Sequence, residues 1–218
     1  MITVPEVVAR YVAQSPFLEE GLMRGWLNLT AVARQLRPPI ETELLKEVSE
    51  AAIVMALRRH AARQHPRRAA VGKLLRNLGE LTLRSGLVEV TFQASESLLD
   101  KQHQLMHLLA RRRDRFVTFS QGVSEVTIIL SQSAMRDVTR IFAGERVVAR
   151  LDSLSALTIR LPAGVVSTPG VYYSVLKQLA WHDINVIEVV STYTELTIVL
   201  ANADVDRAFA ALKAFLWP

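Results

Sequence analysis

From Val4 to Ala62 apolar residues recur at helical spacing, with turn signals at Ser15-Pro16 and Pro38-Pro39. The first half of the chain therefore reads as all-α, broken at both sites. NLTAVARQL (28–36) predicts a short helix with Asn28 or Thr30 as its N-cap. SEAAIVMALRRHA (49–61) predicts another, capped by Ser49, with Ile53, Leu57 and Ala61 on one stripe. RRAAVGKLLRNL (67–78) continues the helical spacing. From Glu80 the period changes to two: ELTLRSGLVEVTF alternates on both sides of Ser85-Gly86, as two paired strands or one bent strand would.

An internal repeat follows. LVEVTF (87–92) predicts a strand, SESLLDKQHQLMHLLARR a helix capped by Ser95, and RFVTFSQ and EVTIILS a hairpin around Gly122. AMRDVTRIFA predicts a helix and RVVARL (146–151) a strand. The order βαββαβ then restarts. ALTIRLP (156–162) is a strand, TPGVYYSVLKQLAWHDI (168–184) a helix, NVIEVVST and ELTIVLA a second hairpin, and DVDRAFAALKAFL a helix. The second copy, βαββα, lacks its last strand. The predicted fold is α+β: two tandem ferredoxin-like units with helices on one face of an antiparallel sheet, behind an all-α helix-turn-helix or winged-helix-like domain. The expected divisions are 1–78, 79–152 and 153–218. An unfilled strand slot leaves unpaired backbone groups. The extra strand at 81–84 is the expected occupant, from this chain or from a second copy.

Charge separates the two halves further. Residues 1–84 carry thirteen basic against eight acidic side chains and the remainder is balanced, so the whole net charge of +5 is N-terminal. Arg58, Arg59, Arg63, Arg67 and Arg68, with Lys73, Arg76 and Arg84 beyond them, form a basic run opposed only by Glu80. Such a run suits phosphates better than base edges, so weak or nonspecific DNA binding is one expectation. A solvated helix face with surplus arginine, or a docking element, is the other. The absence of cysteine excludes disulfides, thiolate catalysis and cysteine metal sites. No window reaches a membrane span and the N-terminus lacks a signal-peptide pattern, which predicts a cytoplasmic protein that makes no membrane contact.

Catalytic chemistry is not legible in the chain. With nine glycines it has neither a Walker pattern nor GxGxxG. His103 and His107 stand four apart on one helical face, a zinc-compatible spacing. Gln-Leu-Met between them excludes the glutamate of a zinc protease, and Glu96 and Asp100 mark that face as solvent. Phe17, Trp26, Trp181 and Trp217 read as core or interface anchors. Phe116 and Phe119 fall on opposite faces of a strand, which argues against RNA stacking.

At STPGVYYSVLKQLAWHDINVIEVVSTYTELTIVL the sequence resembles the ACT domain, the amino-acid-sensing module of aspartate kinase regulatory regions. The resemblance rests on the Pro169-Gly170 turn, the aliphatic helix ending near Ile184, Asn185-Val186 and Ser191-Thr192 in the following strand, and the returning hairpin. It covers about the last 65 residues, and the first repeat by topology alone; FQASESLLDKQHQ has no Pro-Gly. The resemblance implies a ligand site at Thr168, Pro169, Gly170 and Val171, with Asn185, Val186 and Ile187 opposite, shared between two such units. Physical chemistry agrees: a proline at the first helical position loses no useful N-H. Gly170 lets a ligand approach the backbone, and free helix amides suit a carboxylate. A simple strand-to-helix turn needs the same Pro-Gly but not Asn185.

The expectation is a regulatory protein without enzymatic activity, metal or cofactor, whose allosteric ligand is a small amino acid. It is either a ligand-responsive DNA-binding transcription regulator or a stand-alone regulatory subunit of an amino-acid biosynthetic enzyme such as aspartate kinase. A homodimer or higher even oligomer is expected in both.

Overall fold

The computed structural model describes residues 2–62, 71, 72, 74, 75, 78–110 and 116–217. The chain forms two compact units, Met1–Ala69 and Ala70–Pro218.

In the first unit, α1 (Val4–Ala13), α2 (Pro16–Met23), α3 (Leu29–Leu44) and α4 (Glu50–Ala62) enclose a core that includes Val7, Val8, Ala33, Ile40, Ile53 and Leu57. Ser15 accepts from the Leu18 amide at the start of α2. Asn28 Oδ1 accepts from Thr30 and Ala31 at 3.0 and 3.1 Å, making Asn28 the N-cap of α3. The expected break at Pro38-Pro39 does not occur, since both prolines lie inside α3. The residues on either side are anchored: Ala33 and Ile40 are fully buried, and Leu36 and Leu44 pack on the same core. Burial of that stripe offsets the two helix hydrogen bonds that proline removes. Leu45, at φ 51°, ends the helix, and Glu41 accepts from the Val48 amide at 2.9 Å beyond it. Arg10 pairs with Glu43 across the unit.

The second unit is a six-stranded antiparallel sheet in the order β2-β3-β1-β4-β6-β5. Its elements are β1 (Leu81–Gln93), α5 (Leu98–Ala110), β2 (Val117–Gln121), β3 (Glu125–Ser131), α6 (Met135–Ile141), β4 (Val147–Arg160), α7 (Val171–Trp181), β5 (Glu188–Ser191), β6 (Glu195–Ala201) and α8 (Val205–Leu216). The alternating stretch around Ser85-Gly86 is one strand, bent where Gly86 takes φ 70°. The strands expected at 146–151 and 156–162 likewise merge into β4, with Ser153 at φ 58° between them. The vacant slot is filled from within the chain: Leu81, Thr82, Leu83 and Arg84 pair with Ile159, Thr158, Leu157 and Ala156. The last residues of β1 pair with β3 on one side and the start of β4 on the other.

Two cores line the helix-bearing face. Val88, Val90 and Phe92 of β1 and Val126, Ile128 and Leu130 of β3 pack with Leu105 and Leu109 of α5 and Val138 of α6. Leu157 and Ile159 of β4 and Leu196, Ile198 and Leu200 of β6 pack with Val171, Val175 and Leu179 of α7 and Ala208 and Leu212 of α8. On the opposite face Leu87, Ile129, Leu154, Ala156 and Val199 form a smaller cluster. Phe116 joins that cluster while Phe119 packs on the α5 side, as the sequence predicts. Glu89 lies on the smaller-cluster side with its Oε2 unpartnered. Burial, then the charge of Glu188, pushes its carboxyl up. Phe17, Trp26, Trp181 and Trp217 are exposed, so none is a core anchor; of the expected roles, that of an interface anchor is the one left to them.

Ser95 does not cap α5, because its hydroxyl donates to Glu145 Oε2 at 2.7 Å. Glu145 also accepts from Ser97 and from Lys101 Nζ, which donates in addition to the Ala143 carbonyl at 2.9 Å. These donors lower the Glu145 pKa to about 2, Lys101 contributing most. A depressed carboxylate stabilises the fold above its unfolded pKa and loses that contribution as pH falls toward the folded value. Glu145→Gln is expected to lower unfolding free energy by about 1–2 kcal/mol at pH 7. The difference from wild type should shrink between pH 4.5 and pH 2, as followed by urea unfolding across that range.

Candidate functional site at the Gly170 turn

After β4, Leu161 and Pro162 lead into a 3-10 turn, Ala163–Ser167, which holds Thr168 in place. The Thr168 amide donates to the Val165 carbonyl at 3.0 Å and its hydroxyl to the Gly164 carbonyl at 2.9 Å. Pro169 is not the first helical residue, as the sequence suggested. The N-cap is Gly170, at φ 96° and ψ −2°, and α7 starts at Val171. The turn needs a left-handed residue there, and only glycine adopts that conformation without strain. Proline therefore acts one step earlier, fixing the approach to the left-handed residue.

Gly170 offers no side-chain cap to α7, so the first-turn amides have no side-chain acceptor. The first helical hydrogen bond runs from the Ser174 amide to the Gly170 carbonyl at 3.0 Å, and the Ser174 hydroxyl also donates to that carbonyl at 2.8 Å. In front of the helix end lies an open cavity of about 420 Å³ walled by the continuous run from Val165 to Tyr172. Its chemistry is a partially positive helix end beside apolar Val165 and Val171, a fit for a small carboxylate with an aliphatic body. Tyr173, Lys177 and Trp181 follow along α7, the Lys177 ammonium standing 5.5 Å from the Tyr173 ring and 4.6 Å from the Trp181 ring.

Thr168, Pro169, Gly170 and Val171 thus share one cavity. Asn185, Val186 and Ile187 do not line it. They precede β5, which begins only at Glu188, so the strand expected from Asn185 starts three residues later. Asn185 is exposed and the Ile187 amide donates to the Val199 carbonyl at 2.8 Å. Sequence reasoning missed Val71 and Leu74. Val71 Cγ2 lies 3.8 Å from where a Gly170 Cβ would stand, and Leu74 Cδ2 lies 3.4 Å from that of Gly164. Both pack with Leu75 and Leu78 on the α7 core. Their i, i+3, i+4, i+7 spacing was the available signal.

Elsewhere, Arg58 and Arg59 are exposed on α4, whereas Arg63, Arg67 and Arg68 lie outside the described residues. The larger cavity, about 580 Å³, is a groove between α5 and α6 lined by His103, Gln104, His107, Leu108, Arg140 and Ile141. Among the described residues no cluster of three or more His, Cys, Asp or Glu is placed to hold a metal ion. Among them, too, no helix is long and apolar enough to cross a membrane.

In fold the chain is similar to solved regulatory regions of aspartate kinases, and its own second unit is a six-stranded antiparallel sheet in which β1 and β4 are shared by two sets of strands. The ligand-free regulatory subunit of aspartate kinase from Thermus thermophilus is similar at 12% identity with a TM-score of 0.52, covering 63% of this chain and 97% of that one. Aspartokinase III of E. coli, in complex with aspartate and ADP, is similar at 15% identity and a TM-score of 0.51, over 65% of this chain and 34% of that enzyme. The Clostridium acetobutylicum aspartate kinase matches at 10% identity and 0.51, over 64% and 35%. The chain therefore spans about a third of the full-length kinases it matches. No family model and no curated protein matches the sequence.

Gly170→Ala is expected to lower the stability of the second unit by about 1–2 kcal/mol through backbone strain. The space for a Cβ is ordinary van der Waals contact, so no clash contributes. A fall in thermal midpoint of several degrees checks this, and an unchanged midpoint would show that the left-handed turn carries no strain.

Proposed function

We propose that this chain is a non-enzymatic, amino-acid-sensing regulatory protein in which two ACT-like units of the sheet respond to a small amino acid. The observation that carries the reading is the uncapped start of α7 behind a left-handed Gly170, opening onto a cavity of carboxylate-compatible chemistry. The ligand's carboxylate accepts from the Val171 and Tyr172 amides, and its side chain lies along Val165. Asn185, Val186 and Ile187 of a second copy complete the site, so the active form is a homodimer or higher even oligomer. Ligand binding shifts the equilibrium between two arrangements by its difference in affinity for them, and by no more than that.

Two outputs compete. Enzyme docking is favoured by the likeness to a separate regulatory subunit over 97% of that subunit's length. In this reading the chain is a regulatory partner of an amino-acid biosynthetic enzyme such as an aspartate kinase. DNA binding by a helix-turn-helix-like first unit is favoured by the exposed Arg58 and Arg59 at the end of α4, continuing the basic run of the sequence.

Calorimetry with each of the twenty amino acids is expected to find one or a few that bind in the micromolar to millimolar range, with Gly170→Ala weakening them. Absence of binding across the panel would reject the sensing reading. DNA affinity that falls steeply with salt, and is lost in Arg58→Ala/Arg59→Ala, supports the DNA output. Retention of salt-insensitive or absent DNA binding leaves the enzyme-docking output.

A further inference from the structure

Residues 147–153 of β4 are held on one side only. Ala149, Arg150 and Leu151 pair with Thr91, Val90 and Glu89 of β1, whereas β6 pairs with β4 only from Leu154 onward. Among the described residues no strand lies along the other edge of this segment. Every residue from 147 to 153 is exposed, including three large apolar ones: Val147 at 53%, Val148 at 49% and Leu151 at 40%. An apolar strand with a free row of N-H and C=O groups is a template for one more strand.

The charges on that edge select its occupant. Arg150 and Asp152 project from the same face of β4 and pair with each other at 2.7 Å within the chain, both about half exposed. A two-fold axis through Leu151 lays a second β4 antiparallel to the first. Arg150 of each copy then stands opposite Asp152 of the other, and Leu151 opposite its own counterpart. An axis through Arg150 would instead set two guanidinium groups against each other, which costs stability. The Arg-Leu-Asp triplet is therefore self-complementary in one register. The ladder with β1 becomes irregular on either side of 149–151, which bends the strand and limits how far added pairing can run. A pair of copies closes on itself, as an isologous interface does.

We propose that the open edge of β4 is the surface through which a second copy of this chain docks, extending the sheet across a two-fold axis at Leu151. This supplies a surface for the even-numbered assembly proposed above and rests on that reading only for the number of copies. No amino-acid ligand enters the argument.

Sedimentation equilibrium of the full chain, over roughly 1–100 µM without added amino acids, tests it against two charge variants. Wild type is expected to dimerise in that range. Arg150→Asp places like charges opposite each other twice and is expected to weaken the dimer about tenfold or more. The exchanged variant, Arg150→Asp with Asp152→Arg, restores the complementarity and should dimerise within about threefold of wild type. Hydrogen exchange of the amides at 148–152 should slow as wild type is concentrated. The proposal is overturned by a wild type that stays monomeric to 100 µM, by a dimer indifferent to Arg150→Asp, or by failure of the exchanged variant to recover. It is overturned equally if dimerisation leaves those amides unprotected. Amino-acid binding by a chain that stays monomeric would sink this interface and the sharing of the ligand site between copies, while leaving amino-acid sensing at the Gly170 turn standing.

Discussion

The second unit depends on the pairing of β1 with β4. A βαββα segment without a fourth strand leaves one side of its first strand with unsatisfied backbone groups, and a buried amide or carbonyl without a partner is costly. Residues 81–84 remove that cost by pairing with 156–159, while 87–92 of the same strand pair with β3 and with the start of β4. Neither half of the sheet is complete without the other. The bends at Gly86 and Ser153 allow one pair of strands to serve both halves, and α5, α6, α7 and α8 pack on the cores that this pair organises.

The candidate site follows from the same arrangement. β4 ends at Arg160, the chain turns through Ala163–Ser167, and Gly170 adopts a backbone conformation that leaves the start of α7 uncapped. Val71 and Leu74 pack beside this turn, close to the positions that Cβ atoms on Gly170 and Gly164 would occupy. The chain segment that follows the basic run is thereby part of the wall of the α7 core.

Much of this was legible in the sequence because period-two and period-3.6 patterns directly report burial. The helices and hairpins from Leu98 to Leu216 and the opposite placement of Phe116 and Phe119 were readable that way, whereas the two strands expected at 146–151 and 156–162 are one. The borrowed strand was readable as a deficit, since a repeat one strand short must find a partner. Other features were hidden because tertiary contacts override local rules. Pro38 and Pro39 stay helical because their neighbours are anchored in the core. Ser95 gives its hydroxyl to a carboxylate fifty residues away rather than to its own helix. Pro169 looked like a first helical residue because the left-handed conformation of Gly170 cannot be read from a Pro-Gly pair alone. Bulk alone did not separate core from surface at Trp26, between α2 and α3, or at Trp181 on α7.

The most direct test of the sensing account is the amide NMR spectrum of the second unit's α7 within the intact protein, followed during titration with L-amino acids. Saturable shifts at Val171, Tyr172 and Tyr173 with at least one amino acid, reduced by Gly170→Ala, are the predicted result. If none of the twenty moves those three amides at up to about 10 mM, where even a millimolar ligand would be largely bound, the account is contradicted.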